Sequence, residues 1–262
     1  MTDPKFSAHG FLENRLKPAF RAGLLTSVTV AAGFVNGIPQ PAAAQGAATF
    51  PIPEGCTGFL TVQSRGCTVS HYWSCAADPE GTFWRVTIDD QGPFYLSYTD
   101  EEFRWLMTYE LRNGIESELV TPEEDPASLS TLLDEGTDSM VFTMRRTGPG
   151  IDVLREYTGY DSLTGDEIEI DGERLLITTF AYEYDTDAGR RETTGQQFVS
   201  AERGLFFGGL ETTTTADGET FMGDYSPREF IDPGDPGFLT MTPLYDCGST
   251  MSALPFPPED AG

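Results

Sequence analysis

The stretch Phe103-Arg104-Trp105-Leu106-Met107-Thr108-Tyr109-Glu110-Leu111-Arg112-Asn113-Gly114 decides the fold class. Phe103, Trp105, Met107, Tyr109 and Leu111 alternate with Arg104, Thr108 and Glu110, which puts one apolar face on a strand. A helix is the rival reading, because Asp100-Glu101-Glu102 would start one well. Asn113-Gly114 tips the balance, since that pair favours the tight turn of a β-hairpin.

The same period-two pattern extends to both sides. Upstream, Trp84, Val86 and Ile88 alternate with Arg85 and Thr87, residues 89–93 form a turn, and residues 94–98 read as a second strand. Downstream, Pro122 to Pro126 is an acidic break, and residues 128–135 then read as a short helix stopped by Gly136. Strands resume at 140–144 and 153–157, with turns expected at 163–166 and at Asp171-Gly172. Residues 175–184, 196–200, 205–214 and 219–225 complete a meander whose last turn is Asp217-Gly218. The segment before Cys56 is loop-like. After Tyr225, Pro227, Pro233, Pro236, Pro243, Pro255, Pro257 and Pro258 exclude regular structure over much of the tail. That tail is expected to be an extended strap fixed at Cys247, with residues 255–262 loose. No repeat and no shift of composition divides residues 45–262, so they are read as a single antiparallel β-rich domain with one short helix.

Charge and the first residues point to a compartment. The chain of 262 residues carries 16 Lys and Arg against 42 Asp and Glu, a net charge of −26. Such a body is repelled by phosphate, which excludes nucleic acid and anionic membrane surfaces as partners. Four of the scarce cations, Lys5, Arg15, Lys17 and Arg21, precede an uncharged apolar run at 22–35, and Ala42-Ala43-Ala44 follows it. A basic start, a short apolar stretch and small residues at a cleavage site make residues 1–44 a signal peptide, cut after Ala44. The run is too short and too rich in Gly and Thr for a retained membrane span. The expected location is the periplasm or the exterior.

Four cysteines, Cys56, Cys67, Cys75 and Cys247, lie beyond that site. In an exported chain an even count reads as two disulfides, with three connectivities open. The alternative is a metal, since Cys67-x3-His71-x3-Cys75 sets three soft ligands close together; an oxidising compartment favours the disulfides. Whatever the pairing, a bridge to Cys247 ties the C-terminal strap to the N-terminal segment.

Absences narrow the chemistry further. Both lysines lie before residue 44, so the rest offers no Schiff base, Ser-Lys dyad or Walker-type phosphate grip. One histidine, His71, remains there, which rules out a His-rich zinc site. No Gly-x-Ser-x-Gly elbow is present, and Gly148-Pro149-Gly150 is no nucleotide loop. No cofactor or metal is therefore expected. His71, beside Tyr72-Trp73, is the single weak candidate for a general base, against the commoner role of a packed structural histidine. Of Arg145-Arg146 and Arg190-Arg191, strand alternation lets one of each pair point inward. The acidic residues Glu167, Glu169, Asp171 and Glu173 read as a solvated face before they read as a calcium site.

From Thr158 the order is Gly159-Tyr-Asp-Ser-Leu-Thr-Gly165, Ile170-Asp-Gly172, a long strand, Ser200-Ala-Glu-Arg-Gly-Leu205, a Thr-rich strand and Asp217-Gly218. Over residues 140–226 this resembles the half-barrel of periplasmic lipoprotein carriers and related lipid-binding proteins, the LolA-like group. The whole chain is similar to uncharacterised exported bacterial proteins through Trp84-Arg-Val86, Gly92-Pro-Phe94 and Pro233-Gly-Asp-Pro-Gly-Phe238. The resemblance implies a curved antiparallel sheet, half-barrel or barrel-like, whose concave face takes an apolar or lipid-like ligand. Trp105, Met107, Phe142, Phe180, Tyr182 and Phe207 are the candidate ligand contacts. A closed sandwich would bury the same residues in an ordinary core. The alternative function is an acidic envelope protein that acts through its surface and holds no small molecule.

Overall fold

A computed structural model describes residues 48–248, which belong to the second of two compact units, Gln45–Gly262. The proposed signal peptide and the tail at 255–262 lie outside the described residues. Fourteen strands form one antiparallel sheet. In chain order they are β1 (Cys56–Ser64), β2 (Thr68–Cys75), β3 (Phe83–Asp89), β4 (Gly92–Thr99), β5 (Trp105–Glu110) and β6 (Ile115–Asp125). The helix α1 (Leu129–Glu135) follows, then β7 (Thr137–Gly148), β8 (Ile151–Ile170), β9 (Glu173–Thr186) and β10 (Gly189–Ser200). The short strands β11 (Leu205–Phe207), β12 (Leu210–Thr214), β13 (Thr220–Asp224) and β14 (Pro227–Ile231) complete it. The spatial order is β13-β12-β10-β9-β8-β7-β6-β5-β4-β3-β2-β1-β14, with β11 paired to β10. Most of the sheet is thus a plain meander, the arrangement short turns give.

The sheet is open and curved. Leu60, Val62, Tyr72 and Phe83 from β1–β3 pack in one cluster with Leu175 of β9 and with Leu205 and Phe207 of β11. Those strands stand far apart in the sheet order, so the sheet bends to bring these side chains together.

Helix α1 forms where the sequence puts a capping serine before an apolar pair. Ser128 Oγ accepts the Thr131 N–H at 3.1 Å, and Gly136 closes the helix at φ 82°, donating to the Leu132 carbonyl at 2.9 Å. Leu129 and Leu132 are buried.

Several local expectations are corrected. The acidic break at 122–126 is instead the end of β6, which takes Pro122 into the register shift between Val120 and Asp125. The expected turn at 163–166 is a bulge within β8, between Leu163 and Glu167. Residues 205–214 are two strands broken at Gly208-Gly209. A side chain at Gly209 would start 2.1 Å from the Gln196 carbonyl oxygen, so the backbone crosses there only as glycine. The tail contains a strand, β14, paired with β1.

Beyond β14 the chain is a strap. Two disulfides, Cys56–Cys75 and Cys67–Cys247, hold this end of the molecule, the second spanning 180 residues and fixing the strap. Two disulfides belong to an oxidising, non-cytoplasmic compartment. Among the described residues no helix is long and apolar enough to cross a membrane.

Candidate ligand-binding cavity

The strand registers assign each side chain to a face. Leu60, Tyr72, Arg85, Ser97, Thr108, Ser117 and Arg146 lie in one cross-strand row on the inner face. Farther along, Asp138, Asp161, Phe180, Gly195 and Glu211 form a second inner row across β7, β8, β9, β10 and β12. Between these rows and α1 lies a cavity of about 200 Å³. Its walls include Trp105, Phe142, Phe180, Tyr182, Phe206 and Phe207, with Leu129 and Leu132 contributed by the helix.

Five of the six candidate contacts, Trp105, Phe142, Phe180, Tyr182 and Phe207, therefore line one cavity. Met107 does not. A bulge between Tyr98 and Thr99 pairs Trp105 with Thr99 and Met107 with Tyr98, so the two side chains leave the sheet on opposite faces. The expectation that Phe103, Trp105, Met107 and Tyr109 share one face fails at this bulge. Trp105 meets Phe142 and Tyr182 edge to face, at 6.2 and 6.5 Å between ring centres. Met107 and Tyr109 belong instead to the outer face, where Tyr109 stacks on Trp84.

Phe103 is placed by the loop between β4 and β5. Its backbone sits at φ 65°, sparsely populated for an aromatic residue, and its ring packs on Phe206 at 4.9 Å and Phe83 at 5.7 Å. Around it Asp100 accepts from Arg104 N and Nε, and Arg104 also binds Glu123 at 3.2 Å. Glu102 accepts from the Ser130 N–H at 2.9 Å and from Ser128 Oγ at 3.0 Å. Those bonds hold its carboxyl below the usual range. Asp138 accepts the Ser128 N–H at 2.8 Å. One carboxylate from the β4–β5 loop and one from β7 thus pin the start of α1 over the cavity.

Sequence reasoning missed the polar part of the site. Arg85 reaches the cavity wall, and its Nε is buried without a hydrogen-bond partner. Asp161 and Glu211 line the same space. Burial pushes both carboxyls up, to about 7 in each case; Asp138 adds to the shift at Asp161, and Arg85 opposes it at Glu211. Period-two alternation sets Arg85 on the face opposite Trp84, Val86 and Ile88 without saying which face is covered. In fact the polar row Arg85-Ser97-Thr108-Ser117 faces inward, and the apolar row Trp84-Tyr98 lies on the outer face.

His71 lies on that outer face and not in the cavity. It is wholly buried beneath Phe50, whose ring centre is 5.4 Å away. Thr61 Oγ1 accepts the Leu239 N–H at 3.0 Å, which leaves its own proton for His71 Nδ1 at 3.0 Å. Burial lowers the His71 pKa to about 4, the Thr240 backbone opposing the shift. Sealed from solvent and from the cavity, it anchors the strap. Of the arginine pairs, Arg146 turns inward and is buried while Arg145 binds Asp152 at 3.0 Å outside. Glu173 and Asp171 are used internally, by Arg203 and Ser200 and by the Phe230 N–H.

Compared with protein-family profiles, with curated proteins and with solved structures, the chain matches none.

Proposed function

We propose that this is an exported, non-enzymatic binding protein that holds a small apolar molecule beneath α1. The observation that carries this reading is the convergence of Trp105, Phe142, Phe180, Tyr182 and Phe207 on one cavity of about 200 Å³. An apolar cavity of about 150 Å³ accommodates benzene, so the space suits a single ring or a short acyl chain. A full lipid would extend past the helix. The likeness to lipid-binding half-barrels points to the same ligand class. The two disulfides agree with export, by a signal peptide cut after Ala44, to the periplasm or the exterior.

A second reading, an acidic envelope protein without a small ligand, draws on the outer face of β8–β10. Asp152, Glu156 and Glu192 are exposed there, with Leu154 among them. Native and denaturing mass spectra of the protein, prepared from the exporting cell, separate the two. An excess mass that organic solvent extracts is the expected result. A bare polypeptide in every preparation would overturn the ligand reading in favour of the surface.

A further inference from the structure

Resting on the binding reading, we infer that the cavity selects an organic cation, an ammonium group carried on a small apolar body. The charged groups on the wall are unequal in number and in use. Glu102, Glu123, Asp138, Asp161 and Glu211 face two guanidiniums, those of Arg85 and Arg104. Arg104 is consumed by Asp100 at 2.7 Å and by Glu123 at 3.2 Å. Glu102 and Asp138 are consumed by the start of α1.

That leaves Asp161 and Glu211 against Arg85. Neither carboxylate makes a hydrogen bond or an ion pair with another described residue, although both lie on the inner face. Both are half-buried, and a carboxylate partly withdrawn from water is stabilised by a proton or a cation. Burial raises the pKa of each, and the neighbouring Asp138 adds to the shift at Asp161.

The ground between the two carboxylates is shaped for such a guest. In register, Asp161 pairs with Phe180, Phe180 with Gly195, and Gly195 with Glu211. Gly195 brings no side chain, and a Cβ there would approach the Phe180 ring to 3.0 Å, so the ring lies over bare backbone. Three strand spacings separate the backbones of Asp161 and Glu211, roughly 14 Å along a sheet and less across its concave side. Trp105 stands perpendicular to Phe142 and to Tyr182, so ring faces of more than one orientation border the space. The face of an aromatic ring is its negative pole, and it attracts an alkylammonium within about 6 Å. An anionic ligand would gain Arg85 and meet two carboxylates. A neutral one would leave Asp161 without a countercharge and Glu211 with Arg85 alone.

The test is a series of one shape and three charges on the intact, disulfide-bonded protein. Benzyltrimethylammonium, benzyl alcohol and benzoate are titrated by calorimetry at about pH 8.5, above both carboxyls. The cation is expected to bind at least tenfold tighter than the alcohol, with benzoate weakest. E211Q and D161N are each expected to weaken the cation about tenfold and leave the alcohol unchanged, as loss of one charge partner predicts. Equal or tighter binding of the alcohol or of benzoate overturns the inference and leaves the cavity reading standing. Failure of all three probes overturns both. The wild-type series alone decides charge preference, should either variant fail to fold.

Discussion

Strands β1–β5 and strands β7–β10 belong to one sheet but are built differently. In β1 the consecutive residues Leu60, Thr61, Val62 and Gln63 are all buried, because the core covers one face and the strap with Phe50 covers the other. In β8 the buried Arg155 and Tyr157 alternate with exposed Leu154, Glu156 and Thr158, so one face meets water. The polar groups follow this division. Gln63 Nε2 donates to the Thr242 carbonyl at 3.1 Å and its Oε1 accepts the Leu244 N–H at 3.0 Å. Thr61 accepts from Leu239. A strap without a ladder has its backbone satisfied by side chains of the sheet. In the other half Asp161 and Glu211 face the cavity while Asp152, Glu156 and Glu192 face solvent. One region uses buried polarity to fasten the chain to itself; the other leaves it for a guest.

The disulfides offer the hardest test of that division. In the chain-entropy view a bridge closing 180 residues contributes about 5 kcal/mol and one closing 19 about 3 kcal/mol. C67S/C247S is therefore expected to melt well below C56S/C75S. Hydrogen exchange on C67S/C247S is expected to speed at the amides of Leu239 and Leu244 while β8 and β9 stay protected. Equal loss across the whole sheet would mean that the halves form one cooperative unit.

The outer face allows a paired comparison. Ile88 points outward from β3 and is fully buried, whereas Leu154 points outward from β8 and is 68% exposed. Ile88→Ala is expected to cost about 3 kcal/mol by denaturant unfolding, the range for a buried aliphatic truncated in a packed site. Leu154→Ala is expected within about 0.5 kcal/mol of wild type. Similar losses at the two positions would show that the outer face of β8 is covered as that of β3 is.

The same difference explains what could be read from the sequence. Strands whose two faces differ in polarity carry an alternating pattern, and 175–184 and 84–88 were legible for that reason, although in 84–88 the polar face is the one turned inward. In β1 and β2 both faces are dry, so the alternation vanishes and neither strand could be picked out. β14 hid in a tail read as proline-broken, although Pro227 merely begins it. The cavity was legible through its aromatic residues because large rings on a β domain gather in its core. Met107 was misplaced since a single bulge reverses facing and leaves no local mark. Arg85, Asp161 and Glu211 were invisible because charge implies exposure until a fold supplies a reason to bury it.

Acid separates the halves by sign. His71 falls from its ordinary 6.5 to about 4, by burial among Phe50, Trp73 and the strap. Between those values the unfolded chain binds the extra proton, so this group withdraws stability as pH falls, about 2 kcal/mol by pH 5. Asp161 and Glu211 act oppositely: raised to about 7, they take up protons in the folded state first. Their contribution to stability grows as pH falls from about 7 toward the ordinary carboxyl range. Melting curves across this window are expected to slope less steeply downward toward acid in H71Q than in wild type, and more steeply in D161N/E211Q. If H71Q leaves the slope unchanged, the strap does not hold the imidazole neutral, and the outer face of β2 is wetter than its packing implies.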